Sequence, residues 1–227
     1  LKVARALPAA PSGQEAAGTP GYWQVLANRP ALSLSLAQVC FGFALYFLVT
    51  WLPLWLVEVR DYAIADMAWL GSLVFAAQAL AALLAGKVND RLVAHGLPQD
   101  RVRRAGGIGG ALATAAGVAL IGASTGHASL IAGLVVAGLG LGVMHVCINM
   151  IAQVFAGPLA AGKWVGVQNG IGNLAGITNP IITGAIIDAT GSYGWAFALA
   201  AGGPLISALS LAVLVPRVAP IDWAAQR

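Results

Sequence analysis

The stretch GVQNGIGNLAGITNPIITG, which runs from Gly166 to Gly184, lies in an apolar run long enough to cross a bilayer but contains several amides. Because amide side chains are costly in hydrocarbon, we expect them to face protein or a water-filled cavity. Asn169 and Asn173 are four residues apart, so they share one face of a helix. The stretch therefore predicts a membrane helix that lines a pathway. The alternative is a tightly packed bundle helix whose amides bond to its neighbours.

The same stretch is rich in small residues and contains a proline. It holds two GxxxG pairs, Gly166/Gly170 and Gly172/Gly176. Such pairs let another helix approach closely. Pro180 has no N–H, so the carbonyl of Gly176 loses its helical donor. We therefore expect a helix break at Gly176 and Pro180, in a helix that moves against a partner.

The composition indicates an integral membrane protein. Hydrophobic residues make up 59% of the chain and charged residues 9%, whereas about 25% of the residues of a soluble domain are charged. The net charge of +4 is therefore a topological signal and does not point to nucleic acid binding. Cys40 and Cys147 both lie in apolar runs, so the sequence implies no disulfide framework.

Six apolar runs are each long enough to cross the bilayer as an α-helix, which takes about 20 residues. They lie at about 31–57, 66–86, 105–125, 128–155, 165–187 and 194–215. The flanking predictions are a cytoplasmic linker and interfacial segment at 1–30 and a cytoplasmic tail at 216–227. The predicted fold is thus an all-α membrane protein, a bundle of six transmembrane helices.

The distribution of positive charge predicts the orientation of the bundle. If both termini are cytoplasmic, every one of the 12 Lys and Arg residues except Arg60 lies on the cytoplasmic side. This asymmetry is the one that the positive-inside rule describes. The third and sixth runs carry few polar residues, so we expect these two helices to lie outermost, toward lipid.

The loop after the second run combines Gly86, Asp90 and Arg91. A glycine, a carboxylate and an adjacent base in a short cytoplasmic hairpin can form a charged clasp, with the carboxylate at the positive N-terminus of a neighbouring helix. Such a clasp would hold one conformation closed on the cytoplasmic side. The alternative is a solvated loop that sets topology, and the three arginines that precede the third run indicate no more than that.

These motifs resemble those of a known family. The pattern Gly-x-x-x-Asp-Arg, from Gly86 to Arg91, resembles the signature loop of the major facilitator superfamily in its second-half copy. The segment YFLVTWLP, from Tyr46 to Pro53, resembles the YFxxTWxP pattern of the anion:cation symporter family. GIGNLAG, from Gly170 to Gly176, with the following Pro180 and Gly184, resembles that family too. The resemblance implies the C-terminal half of a twelve-helix major facilitator fold, with the N-terminal six-helix half absent from this chain.

The resemblance also implies a function. Members of the family carry organic anions, commonly sugar acids, together with protons, by alternating access and without a cofactor. A bacterial inner membrane is the implied location. Gln38, Asn149 and Asn169 match polar positions that line the cavity between the two halves. Many members place an acid shortly before a proline where the fourth run enters the cytoplasm. Here QVFAGP, from Gln153 to Pro158, contains none, which leaves the subgroup and the cargo open.

The candidate substrate-binding residues are the polar groups in these apolar runs: Gln38, Tyr46, His145, Asn149, Asn169 and Asn173. Carboxamides both donate and accept hydrogen bonds, so they suit sugar hydroxyls. Tyr46 would form an apolar wall of the site or be ordinary packing. His145 is the ionisable residue deep in a run, which makes it a candidate for function, and histidine is the side chain suited to proton exchange near neutral pH. The alternative is a neutral His bonded to a neighbouring helix. The proton-coupling carboxylate and the anion-binding cation are then expected in the absent half.

Other classes of function lack support in the sequence. The runs contain no deep carboxylate pair, and the three histidines fall in separate segments, so neither an enzyme nor a metal site is predicted. No phosphate-cradling loop precedes a Lys-Ser or Lys-Thr pair, so ATP-driven transport is unsupported. Two alternatives remain. One is a transporter of a neutral sugar or a drug. The other is a self-contained six-span homodimeric channel, or a membrane scaffold or sensor that does not transport.

Overall fold

The computed structural model describes residues 19–223, and its regular secondary structure is helical. The helices are α1 (Tyr22–Leu26), α2 (Arg29–Glu58), α3 (Ile64–Ala94), α4 (Gln99–Gly122), α5 (His127–Gly172), α6 (Leu174–Thr190) and α7 (Tyr193–Leu209), and α7 continues into a π-helical turn, Ser210–Leu214. No strand occurs in residues 19–223, so the predicted all-α fold is confirmed. The remainder of the predicted linker and tail, 1–18 and 224–227, lies outside the described residues.

Five helical segments are long and apolar enough to cross a membrane, and one of them, His127–Thr190, is 64 residues long. A straight helix of that length would measure about 96 Å at 1.5 Å per residue, roughly three times the hydrocarbon thickness of a bilayer. The backbone leaves the helical conformation at Gly157, where φ is 59° and ψ is −176°. Pro158 follows and has no N–H to donate to the preceding turn. The long segment therefore consists of two limbs that meet at Gly157.

The limb before Gly157 runs antiparallel to α4. Gly117 lies against Ala137, and Gly110, two turns earlier in α4, lies against Met144, two turns later in α5. The two backbones touch, since a methyl group on Gly110 would lie 2.7 Å from the backbone nitrogen of Met144. Small residues permit this close approach, and the resulting van der Waals contact matters in lipid, where helices gain little from hydrophobic burial.

The limb after Gly157, together with α6, runs parallel to α2. Gln38 lies against Gly172, and Trp51, farther along α2, lies against Gly184. Helix α7 is antiparallel to both α2 and α4. Since α2 and α4 thus point the same way, the two limbs point in opposite directions. Within residues 19–223 the five apolar segments thus form six crossings, because His127–Thr190 contributes two, in agreement with the predicted six-helix bundle. In chain order, the fourth crossing is 127–156 and the fifth is 158–190.

The helices differ in how much of their surface the chain covers. In the most apolar stretch of α3, 22% of the residues are buried, against 44% in α4 and in the last crossing. Within the described residues the third and sixth crossings are thus more covered than the second. Glycines on α4, such as Gly110 and Gly117, draw that helix against α5. Burial within one chain does not show which helices face lipid, so the outer position of the third and sixth crossings stays a prediction.

Arg104 ties the N-terminal end of α4 to the end of the last crossing. Its Nη1 donates to the carbonyls of Leu211 and Val215, at 3.2 and 3.0 Å, and its Nη2 donates to the carbonyl of Pro216 at 2.8 Å. Nη2 also pairs with Asp100 at 3.1 Å. From the sequence, this arginine was expected to be a topological signal only. Its role depends on residues more than 100 positions away, so nothing local could reveal it.

The end of the described chain satisfies the backbone at the Gly157 reversal. The indole Nε1 of Trp223 donates to the carbonyl of Ala156 at 3.0 Å, and the N–H of Ile221 donates to the carbonyl of Phe155 at 3.2 Å. These carbonyls directly precede the break, where the helical pattern ends. An unsatisfied backbone group away from water is costly, so the tail makes the sharp reversal between the two limbs tolerable.

We expect Gly117→Ala to lower the thermal stability of the full-length protein and Gly109→Ala to leave it equal or higher. A methyl on Gly117 would overlap the backbone of Ala137, and overpacking of this kind typically costs about 1–3 kcal/mol. A methyl on Gly109 meets nothing within 4 Å, and alanine is favoured over glycine in a helix by about 1 kcal/mol. Thermal unfolding in detergent measures both variants. Equal unfolding temperatures for the two would contradict the backbone contact between α4 and α5.

Candidate functional site

A row of hydrogen-bonded polar side chains joins α2 to the fifth crossing. The Nε1 of Trp164 donates to the Oε1 of Gln168 at 2.7 Å, and the Nε2 of Gln168 lies 3.5 Å from the Oε1 of Gln38. Both glutamines are buried, with 9% of Gln38 and 3% of Gln168 exposed. Gly172 makes room for this row, because a methyl there would lie 2.5 Å from the Cγ of Gln38. The predicted residue Gln38 is thus held in place by the fifth crossing.

A second contact between the same two crossings lies two turns farther along α2. The hydroxyl of Tyr46 donates to the Oδ1 of Asn173 at 2.7 Å. Gly176 faces the tyrosine ring, since a methyl on it would lie 2.8 Å from the ring carbon Cζ. Two of the predicted substrate-binding residues therefore bind each other in this structure. Asn173 is also the junction between α5 and α6, so Tyr46 contacts the one irregular turn of the fifth crossing.

The fourth crossing contributes His145 and Asn149, one helical turn apart. The Nδ2 of Asn149 donates to the carbonyl of His145 at 2.8 Å and lies 3.3 Å from the Nε2 of its ring. The imidazole also packs on Phe41 of α2, with 5.6 Å between ring centroids. His145 is exposed and Asn149 is partly exposed. Because Phe41 lies one turn from Gln38, a single turn of α2 lies between this pair and the buried glutamines.

Asn169 lies on the open side of the fifth crossing. Its side chain is exposed and makes no hydrogen bond with any of residues 19–223. Gly166 and Gly170 are equally open, because a methyl on either would meet nothing within 4 Å. Gly172 and Gly176, by contrast, both face α2. Among the described residues, no helix packs on the first GxxxG pair of this stretch, whereas the second pair packs against α2.

The interruption of the fifth crossing differs from the one expected at Gly176 and Pro180. Helix α6 continues through both residues, and the irregular turn lies three residues before Gly176, at Asn173. Pro180 removes the helical donor to the carbonyl of Gly176, yet the helix continues through it. The neighbouring Asn179 is fully buried and ties this part of α6 to α2, since its Nδ2 donates to the carbonyl of Phe43 at 3.1 Å.

The three residues of the predicted clasp lie at the end of α3. Asp90 and Arg91 are exposed, and neither forms an ion pair within residues 19–223. A methyl on Gly86 would meet nothing within 4 Å. The acid that is held in this hairpin is Asp100, which accepts from the N–H of Val218 at 2.9 Å and pairs with Arg104. The clasp at Gly86, Asp90 and Arg91 remains a prediction that needs a partner other than the described residues.

The arrangement is a set of hydrogen-bonding groups in an apolar bundle. Within residues 19–223, no group of three His, Cys, Asp or Glu side chains could hold a metal ion. The predictions missed Trp164, which orients Gln168, and Asn179, which anchors α6. The role of Asn179 could have been predicted, because an amide one residue before a proline in a membrane helix needs a hydrogen-bond partner. The role of Trp164 could not, because tryptophan is common near membrane–water interfaces whether or not it orients another side chain.

Comparison with known proteins identifies the family. The sequence model described as Major Facilitator Superfamily matches residues 2–180, which is most of the chain. This confirms the family resemblance that was based on the loop from Gly86 to Arg91 and on the glycine-rich fifth crossing.

Several named relatives are similar to most of this chain. A probable galactarate/D-glucarate transporter of Bacillus subtilis (strain 168) is 30% identical over 85% of this chain and 42% of its own length. A probable sulfoacetate transporter of Cupriavidus necator is 28% identical over 87% of this chain and 45% of its own length. A D-galactonate transporter of Escherichia coli O6:H1 is 28% identical over 85% and 44%.

The chain thus spans less than half the length of these relatives, and all three bear the names of transporters and not of enzymes. The apolar crossings and the family match together make it an integral membrane protein. The chain belongs to the major facilitator superfamily.

Proposed function

We propose that the protein containing this chain is a secondary active transporter that moves an organic anion such as a sugar acid together with a proton. One observation carries the proposal: polar side chains of α2 and of the fourth and fifth crossings gather around the turn of α2 from Gln38 to Phe41. Polar groups within membrane helices mark substrate or ion pathways by default. The acid-transporter names of the relatives support an anionic cargo.

The residues of this chain would recognise the cargo mainly through its hydroxyl groups. The amides of Gln38, Asn149 and Asn169 each offer a donor and an acceptor, and Asn169 has both free of hydrogen bonds within the described residues. His145 is exposed beside Asn149 and can donate or accept. A carboxylate of the cargo needs a cation, which we assign to an N-terminal six-helix half, together with the proton-coupling carboxylate.

Alternating access would come from the rocking of two six-helix halves about the substrate site. Two surfaces of this chain suit a second half: the sparsely covered α3 and the open glycine face of the fifth crossing at Gly166 and Gly170. The Tyr46–Asn173 hydrogen bond sits at the irregular turn of that crossing, where a change of conformation can break one bond without dismantling a helix. We place Asp90 and Arg91 as the clasp toward that half.

The orientation belongs to the same proposal. We place both termini on the cytoplasmic side of a bacterial inner membrane. The positive charges favour this orientation, and the three named relatives are from bacteria.

We expect the full-length protein in proteoliposomes to take up labelled D-glucarate when the outside is acidic, and Gln38→Ala to reduce that uptake about tenfold. The loss of one hydrogen bond to a charged or polar ligand costs about 1.5 kcal/mol. Gln78→Ala removes an equal amide from α3, whose backbone at that position packs on Gly142. It is the matched control and should stay within about twofold.

Two results would contradict parts of this proposal separately. Equal uptake with and without the pH gradient would exclude proton symport but leave anion transport standing. Uptake of a neutral hexose, with none of glucarate, galactonate or sulfoacetate, would exclude an organic anion as the cargo. Comparison among the three acids then ranks them as substrates.

We expect His145→Gln in the full-length protein to raise the KM for the substrate more than it weakens proton coupling. Glutamine keeps a hydrogen-bonding group beside Asn149 but not the ring that packs on Phe41. Substrate uptake at several concentrations measures KM, and the alkalinisation that accompanies uptake measures coupling. His127→Gln is the control, since His127 bonds to Tyr62 at the opposite end of the bundle. Loss of proton movement with an unchanged KM would make His145 a coupling residue instead.

A further inference from the structure

We propose that a groove formed by α3, α4 and the fourth crossing binds an anionic glycerophospholipid, with an acyl chain in the groove and the phosphate at Arg101. The groove has a volume of about 650 Å³. Leu84 and Val88 of α3 line one side, Ala105 of α4 the other, and Leu139 lies at the base. Arg101 is at the end near the α3–α4 hairpin. The site combines an apolar channel with one cation at its mouth.

The walls of the groove are exposed apolar side chains. Leu84 is 51% exposed, Val88 49% and Leu97 48%. Gly106 lines the groove and packs closely on the fourth crossing, since a methyl there would lie 2.7 Å from the sulfur of Cys147. Apart from Asn89 and Arg101, every residue that lines the groove is apolar or glycine. An apolar lining with one cation at its end suits an acyl chain that carries an anionic headgroup.

Arg101 is the available cation among the three arginines of this segment. Arg103 donates to the carbonyl of Met150 at 3.1 Å, and Arg104 is bound to the carbonyls at the end of the last crossing. Asp100 is paired with Arg104. Arg101 is exposed and forms no ion pair within residues 19–223. Basic pockets between helices at the membrane surface bind anionic headgroups, and the guanidinium fork matches a phosphate.

The groove faces away from the side of α3 that is most exposed. Leu83 is 69% exposed, and at 100° per residue it lies on the side of α3 opposite the groove residues Ala81, Ala85 and Val88. A second six-helix half that packs on the Leu83 side would leave the groove open to lipid. The lipid site and the substrate site therefore use different surfaces, and the lipid proposal stands independently of the transport proposal.

The test uses the full-length protein in nanodiscs of phosphatidylcholine that contain a phosphatidylglycerol with a photoreactive diazirine on one acyl chain. After illumination, peptide mapping should place the crosslinks in 81–106 and 139–143. Ala105→Phe, which fills the groove, should remove them. Ala116→Phe adds the same ring to an exposed position of α4 outside the groove and should retain them.

The headgroup is tested by competition between photoreactive phosphatidylglycerol and photoreactive phosphatidylcholine. Arg101→Gln should reduce the preference for phosphatidylglycerol about fivefold, as expected for one basic side chain at an anionic surface. Arg101→Lys should keep most of the preference. Lys87→Gln, an equal loss of charge at the same end of α3 but outside the groove, should change it by less than twofold.

Three outcomes would overturn the proposal. Crosslinks spread evenly around the bundle would mean that the groove holds only bulk lipid. A preference for phosphatidylglycerol that survives Arg101→Gln would place the anion elsewhere. If a short bifunctional reagent crosslinks the groove residues to another segment of the protein, a protein segment and not a lipid occupies the groove. Arg101 is exposed, so its variants should fold even if Ala105→Phe does not, and the competition assay then decides alone.

Discussion

Contact between helix backbones, at positions where one partner has no side chain, organises the bundle. The fourth crossing is central, because it packs on α3 through Gly138 and Gly142 and on α4 through Gly140. A methyl on Gly140 would lie 2.5 Å from the backbone nitrogen of Thr114. Lipid tails are as apolar as leucine, so burial alone cannot hold membrane helices together and close packing must do so. The fourth crossing therefore presents His145 and Asn149 from a rigid support.

The second constraint is that backbone groups need partners wherever water is scarce. At Gly157 the backbone leaves the helical conformation. The carbonyls of Phe155 and Ala156 accept hydrogen bonds from the N–H of Ile221 and the indole of Trp223 in place of helical donors. Arg104 does the same for carbonyls at the end of the last crossing. The segment after the last crossing is thus part of the folded bundle, and it holds together the start of α4, the end of the last crossing and the Gly157 reversal.

The same requirement separates the polar side chains into two groups. Gln38 and Gln168 are buried and lie within hydrogen-bonding distance of each other, and Tyr46 bonds to Asn173. Asn169 is exposed and without a hydrogen bond in the described residues, and His145 is exposed beside Asn149. The first group positions the fifth crossing against α2, whereas the second is free to meet a ligand. The second group can contact cargo directly. Gln38 of the first group would contact it mainly through its Nε2, because its Oε1 faces Gln168.

The sequence by itself determined the class of fold, the six crossings and the family. Long apolar runs in a chain with 9% charged residues are compatible with few folds other than a bundle of membrane helices. The motif in the loop from Gly86 to Arg91 identifies the family from the sequence alone. The polar positions of the site were also readable, because an amide in a membrane helix is conspicuous. The tertiary structure decided what those residues contact. It showed that Tyr46 meets Asn173, that the irregular turn falls at Asn173 and not at Pro180, and that Asp100 and not Asp90 is bound within the chain. Each of these depends on a partner more than 100 residues away or on the path of a neighbouring helix, and local residue patterns do not encode which distant faces come together.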